Sequence, residues 1–233
     1  TPKLYNLYVN NGDTKRFNWS IAPFEYKEAG GKNTGVTHRE FEQGKLAEVM
    51  SQYGQQRGTY QYADDTEKTT ATKNFSRMCG KYRREYEADK NYTAINFPIL
   101  RYADVLLMIA EAENEANNGP TTLAYQCMKE VRERAGLNEL PDMTQEEFRQ
   151  TVKDERAMEL CFEYTRRFDL IRWGEYVKNM RALVTEAQSG NNWTQGPTNV
   201  YTYFNISSTY NYFPIPDAEM SVNKDITQNN PGW

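Results

Sequence analysis

Along the chain the rhythm of hydrophobic and polar positions changes near residue 97. Beyond it, apolar residues recur at helical spacing. Ala103, Leu106, Leu107 and Ala110 fall at i, i+3, i+4 and i+7, which predicts a helix over 100–117, stopped by Asn117-Asn118-Gly119-Pro120. A second stripe, Ala124, Cys127, Met128, Val131 and Ala135, predicts a helix over 122–135 with Gly136 as its C-terminal cap. The short connection makes the two an antiparallel αα-hairpin, one unit of a helical repeat array. Such arrays need about three units to bury a continuous core, so a single unit implies that part of the array is missing. Thr144-Gln145-Glu146-Glu147 is a capping box that opens a third helix, expected to reach 164. Further helical stretches are expected over 167–176 and 175–188, and a short one over 217–222 opened by Pro216.

Before residue 97 the pattern is that of loops and short strands. Leu7-Tyr8-Val9 and Phe17-Asn18-Trp19 flank an Asn-Gly step, which predicts a β-hairpin. Glycines recur at 30, 31, 35, 44, 54 and 58, with a short helix expected around 41–53. Tyr60 and Tyr62 would share one face of a strand. Near the end, Phe213-Pro214-Ile215-Pro216 cannot be a central strand or a helix interior, and 229–233 reads as an extended tail.

On the third helix, Phe148, Val152 and Phe162 point one way, and Glu155 and Glu159 fall in the middle of that face. Buried carboxylates are costly unless paired. Arg166, Arg167 and Arg172 lie just downstream, with Arg156 alongside, which predicts a structural ion-pair network joining this helix to the next. The competing reading makes Glu155 and Glu159 the paired carboxylates of a glycoside hydrolase. Neighbouring arginines would hold both ionised, and an ionised carboxylate is no general acid, so the network is favoured.

Composition narrows the functional classes. Only 38% of the 233 residues are hydrophobic and mean hydropathy is −0.89, so much of the length is expected as loop or solvated surface. An aromatic content of 13% with a net charge of −4 still argues for a folded chain. The slightly acidic balance gives no nucleic-acid footprint. No run of about 18 apolar residues could span a membrane. Cys79, Cys127 and Cys161 are widely separated, forming neither a zinc site nor a disulfide framework, and the latter two read as buried thiols. The single histidine, His38, lies apart from any nucleophile motif and reads as a surface residue. No metal or cofactor is expected; calcium on loop carboxylates such as Asp64 and Asp65 is a minor alternative that no EF-hand pattern supports. Thr1-Pro2-Lys3-Leu4-Tyr5 is no signal peptide and carries no starting Met, which points to a processed chain or a fragment.

Three motifs together resemble the SusD/RagB family. They are Leu100-Arg101-Tyr102-Ala103-Asp104-Val105-Leu106-Leu107-Met108-Ile109-Ala110-Glu111-Ala112, then Asp154-Glu155-Arg156-Ala157-Met158-Glu159-Leu160 continuing through Glu163, Arg166, Phe168-Asp169-Leu170 and Arg172-Trp173, then Tyr212-Phe213-Pro214-Ile215-Pro216 with Glu219, Asn223 and Gln228-Asn229-Asn230-Pro231-Gly232. The resemblance is firm over 97–233. Many relatives carry a glycine where Tyr164 stands here. It implies a mainly α fold: part of a TPR-like α-α superhelix over 97–233, joined into one domain with a loop-rich region over 1–96 that holds short β-hairpins. Relatives are about twice as long, which implies that the N-terminal half of the family, with its signal peptide and lipidated cysteine, is absent.

The resemblance further implies a non-catalytic nutrient-binding lipoprotein on the extracellular face of the outer membrane. It would bind oligosaccharides or polysaccharides for import through a SusC-like TonB-dependent transporter. The alternatives are a helical-repeat module that binds a protein or peptide, and a hydrolase using Glu155 and Glu159. Family motifs do not fix the binding residues. Sugars stack on flat aromatics beside polar groups, so Trp19 with Asn18, then Tyr60, Tyr62 and Trp193, are the expected ligand contacts, while Trp173 and Trp233 read as structural.

Overall fold

The computed structural model describes residues 2–22, 28–29, 32–33, 78–81, 96–188 and 205–233. The chain divides into two compact units, Thr1–Thr165 and Arg166–Trp233. Among the described residues the fold is mainly helical.

The first unit begins with α1 (Pro2–Asn10) and α2 (Thr14–Ser20). This corrects the expected hairpin. Asn11 and Gly12 end a helix here instead of turning a strand, with Gly12 at φ +66°. Asp13 then caps α2 by accepting from the Arg16 amide at 3.0 Å. The reason is tertiary. As helices, α1 and α2 bring Leu4, Tyr8 and Phe17 to one cluster with Ile21, Met158 and Cys161, and the Tyr8 hydroxyl donates to Met158 O at 2.6 Å. Strand pairing among the described residues amounts to two-residue ladders: β1 (Ile21–Ala22) with β4 (Met78–Cys79), and β2 (Glu28–Ala29) with β3 (Lys32–Asn33). The helix expected around 41–53 lies outside the described residues.

The core is made by α3 (Tyr102–Ala116), α4 (Thr122–Arg134) and α5 (Gln145–Glu159). Thr121 caps α4, and Thr144 with Glu147 forms the reciprocal box at the start of α5. The predicted stripes meet as one cluster: Leu106, Leu107 and Ala110 from α3, Cys127, Met128 and Val131 from α4, Phe148 and Val152 from α5. Each large apolar side chain buried here contributes about 1.5–3 kcal/mol.

Helix α5 stops at Glu159, short of the expected 164. Phe162 and Tyr164 take positive φ, 64° and 61°, which no continuing helix allows. Phe162 is therefore exposed and does not share the buried face of Phe148 and Val152.

The second unit holds α6 (Arg166–Arg172), α7 (Tyr176–Gln188), a 3-10 turn at Ser208–Asn211 and α8 (Asp217–Val222). Leu170, Tyr176 and Ile206 form its core, with Trp173, Val177 and Met180 packed on them. The Pro-flanked Ile215 is held by Asn229, whose Oδ1 accepts from Ile215 N at 2.7 Å and whose Nδ2 donates to Ile215 O at 3.2 Å. Asn230 Nδ2 donates to Phe213 O at 2.8 Å. The two halves of the last sequence motif are thus one latch.

Candidate functional site

Glu155 and Glu159 lie on the buried face of α5, as their helical positions require, at 0% and 4% exposure. Four arginines meet them. Arg16 Nη1 donates to Glu155 Oε1 at 2.7 Å and to Glu159 Oε2 at 2.8 Å, while its Nε holds Asp13. Arg132 Nη1 donates to Glu155 Oε2 at 3.1 Å. Arg101 Nη1 donates to Glu159 Oε1 at 2.7 Å, and Arg134 also donates to Glu159. Glu163 joins through Arg101 and Lys81. Lys81 and Arg101 both donate to the Glu159 carbonyl as well, so cations satisfy the free end of α5.

The arginines expected from sequence show contacts of their own. Arg167 and Arg172 make contacts inside the second unit. Arg167 Nη2 donates to Tyr210 O at 2.9 Å and its guanidinium lies 4.3 Å from the Phe213 ring centre; Arg172 pairs with Asp169. Arg166 stacks over Trp173 at 5.3 Å. Arg156, flanking the two carboxylates in sequence, donates to Asp104 at 2.8 Å. Proximity in sequence pointed to downstream arginines, but the loops and helices of the first unit deliver cations from much farther away.

Electrostatics sets what this cluster can do. Burial opposes charge on Glu159, yet Arg101, with Arg16 and Arg134, outweighs it and brings the carboxyl from 4.5 to about 2. The guanidinium of Arg16 is pushed upward, its own burial outweighed by Glu155, Asp13 and Glu159. A carboxyl held ionised under three arginines has no proton to give a leaving group, so Glu159 serves as an anchor.

Of the expected ligand contacts, Trp19 lies near the end of α2, half-buried and in contact with neighbours. Asn18 precedes it on the same helix. Tyr60, Tyr62 and Trp193 lie outside the described residues. An open cleft of about 590 Å³ runs along α4, lined by Tyr125, Lys129, Glu130, Glu133, Glu139 and Asp142, among others. Sequence reasoning missed it; the signal was the polar face of α4 opposite its apolar stripe. Lys129 bridges Glu133 and Glu139 across it, and the carboxylates give it acceptors for hydroxyl groups. Among the described residues, no group of acidic, cysteine or histidine side chains is arranged to hold a metal ion.

The geometry defines a helical scaffold whose buried carboxylates are locked by arginine. The chain belongs to the SusD family, whose model matches residues 3–233. It is 40% identical over 129 residues to a SusD-like protein of Formosa agariphila, a stretch covering 54% of this chain and 22% of that protein. It is 28% identical over 138 residues to the starch-binding protein SusD of Bacteroides thetaiotaomicron, covering 59% of this chain and 22% of that one. A solved SusD homologue from Bacteroides thetaiotaomicron matches the whole chain with TM-score 0.71 and 26% identity, over 43% of its own length. The chain thus spans less than half of that relative, and the matched stretches make up about a fifth of the two curated ones.

Proposed function

We propose that this chain binds oligosaccharides without transforming them, as part of a nutrient-binding lipoprotein on the extracellular face of the outer membrane. A SusC-like TonB-dependent transporter is its partner, receiving the captured glycan. Membership of the SusD family is the observation that carries this reading. The starch-binding name of one relative supports a glycan as ligand. The arginine lock on Glu155 and Glu159 supports binding over hydrolysis. Among the described residues no helix is long and apolar enough to cross a membrane. Trp19 with Asn18, and Tyr60, Tyr62 and Trp193, are the proposed contacts, each pairing a flat ring or an amide with sugar chemistry.

Isothermal titration of the chain against plant, host and microbial oligosaccharides tests this. Binding between micromolar and millimolar strength, without release of shorter products, is the expected result. Silence across the panel, or steady cleavage that stops in Glu159→Gln, overturns it.

A further inference from the structure

In the second unit the last residues fold back on the 3-10 turn. With Asn229 and Asn230 latched to the backbone of Ile215 and Phe213, the Trp233 indole N–H donates to Thr209 O at 3.3 Å. The indole then meets Tyr210 edge to face, with ring centroids 5.7 Å apart and planes at 74°. Gly232 permits this approach. Its φ is +91°, and a Cβ there would run into the Thr209 side chain. Arg167 fixes the other side through the Tyr210 carbonyl. Both rings remain partly exposed, Tyr210 at 44% and Trp233 at 47%.

Exposed apolar rings often mark protein interfaces, but the setting here is of another kind. Residues 205–216 and 226–233 contain no charged side chain. The same segments carry Asn205, Ser208, Thr209, Asn211 and Gln228. Segments that mix fixed flat rings with hydroxyl and amide groups, with the Arg167 guanidinium beside them as a further donor, match a pyranose, whose C–H face stacks on an aromatic while its hydroxyls hydrogen-bond nearby. Rings immobilised beforehand lose little side-chain entropy on binding.

We propose that Tyr210 and Trp233 form a sugar-binding platform separate from the Trp19 region, taking a pyranose ring of a neutral oligosaccharide on the open indole face with Tyr210 as side wall. The proposal rests on the glycan reading above, but it needs only residues of the second unit.

The test is titration of the whole chain with maltohexaose, cellohexaose and xylohexaose, read by tryptophan fluorescence and saturation-transfer NMR, in wild type, Trp233→Ala, Trp233→Tyr, Tyr210→Ala and Trp19→Ala. The expected result is binding of at least one probe, weakened about tenfold by Trp233→Ala or Tyr210→Ala, as loss of a stacking ring implies, and largely restored in Trp233→Tyr. Tyr210→Ala keeps the carbonyl that Arg167 binds, so it remains decisive if Trp233→Ala lowers the melting temperature. Wild-type binding that survives both ring deletions refutes the platform and leaves the glycan reading standing, whether or not Trp19→Ala abolishes it. Wild-type silence toward all three probes, with the platform complete in the chain, refutes the platform; the glycan reading falls only if the wider panel is silent too.

Discussion

Arg101 meets Glu163 as a fork, Nε to Oε2 at 2.6 Å and Nη2 to Oε1 at 2.9 Å. Two parallel charge-assisted bonds require the planar guanidinium, and lysine offers only a point charge. Arg101→Lys keeps the charge and loses the fork, together with the Nη contacts to Glu159. A loss of about 2–3 kcal/mol is expected, measured by urea unfolding, and a change under about 0.5 kcal/mol would show that charge alone suffices.

Glu155 is fully buried between Arg16 and Arg132. Glu155→Ala removes the buried carboxylate that Arg132 holds and one of the three that Arg16 holds, and should cost about 3–5 kcal/mol. The comparison is Glu115→Ala, which breaks the exposed pair with Arg149 and should cost under about 1 kcal/mol. Equal losses in the two variants would contradict the buried network.

Acid should act through Glu159. Its folded carboxyl lies near 2 against 4.5 in the unfolded chain. The depressed value makes its contribution, on the order of 3 kcal/mol, fully present above pH 4.5 and lost as pH falls from there toward 2. Glu159→Gln should be less stable near neutrality and show a flatter decline over that window. Parallel acid limbs in the two proteins would count against the assignment.

Tyr164 sits at φ +61°, a conformation that suits glycine, with its ring 5.5 Å from that of Phe97. A β-branched residue is badly suited to this conformation. Tyr164→Val should cost about 1–2 kcal/mol, while Tyr164→Gly should be neutral or slightly stabilising. Thermal melts of the pair decide it: glycine falling below valine would remove backbone strain as the explanation.

Asn229 uses both ends of its amide on Ile215, the one residue of 214–216 with a backbone N–H. Asn229→Asp keeps the acceptor for that N–H and loses the donor to the carbonyl. It should lose about half of the ~2 kcal/mol expected for Asn229→Ala, a difference readable by proteolysis of the tail.

The sequence disclosed the helices wherever local chemistry specifies them. The stripes of α3 and α4 place those helices within a residue or two of where they lie, and the Thr144 box and the Pro216 opening place the starts of α5 and α8, though α5 ends at Glu159, before the expected 164. It misled at Asn11-Gly12, because the same dipeptide can turn a hairpin or end a helix, and only packing against Met158 and Cys161 decides between them. The burial of Glu155 and Glu159 was legible from the helix face. Their partners were not, since a carboxylate's spacing says nothing about which distant cation reaches it; Arg16 lies 139 residues before Glu155. The cleft along α4 was hidden for a related reason, being formed with a loop that returns only after the helix ends.

That separation has a consequence during biosynthesis. At roughly 5–20 residues per second, some 7–30 s pass between synthesis of Arg16 and of its carboxylate on α5. Closing a chain segment of that length costs about 4 kcal/mol in entropy. During that interval α1 and α2 have neither their apolar shelf at Met158 nor the carboxylates of α5, so this segment stays open to chaperones and proteases until the ribosome has passed residue 159. The salt cluster is a late-closing clasp, and the first unit is committed to its fold only when both ends of that clasp exist.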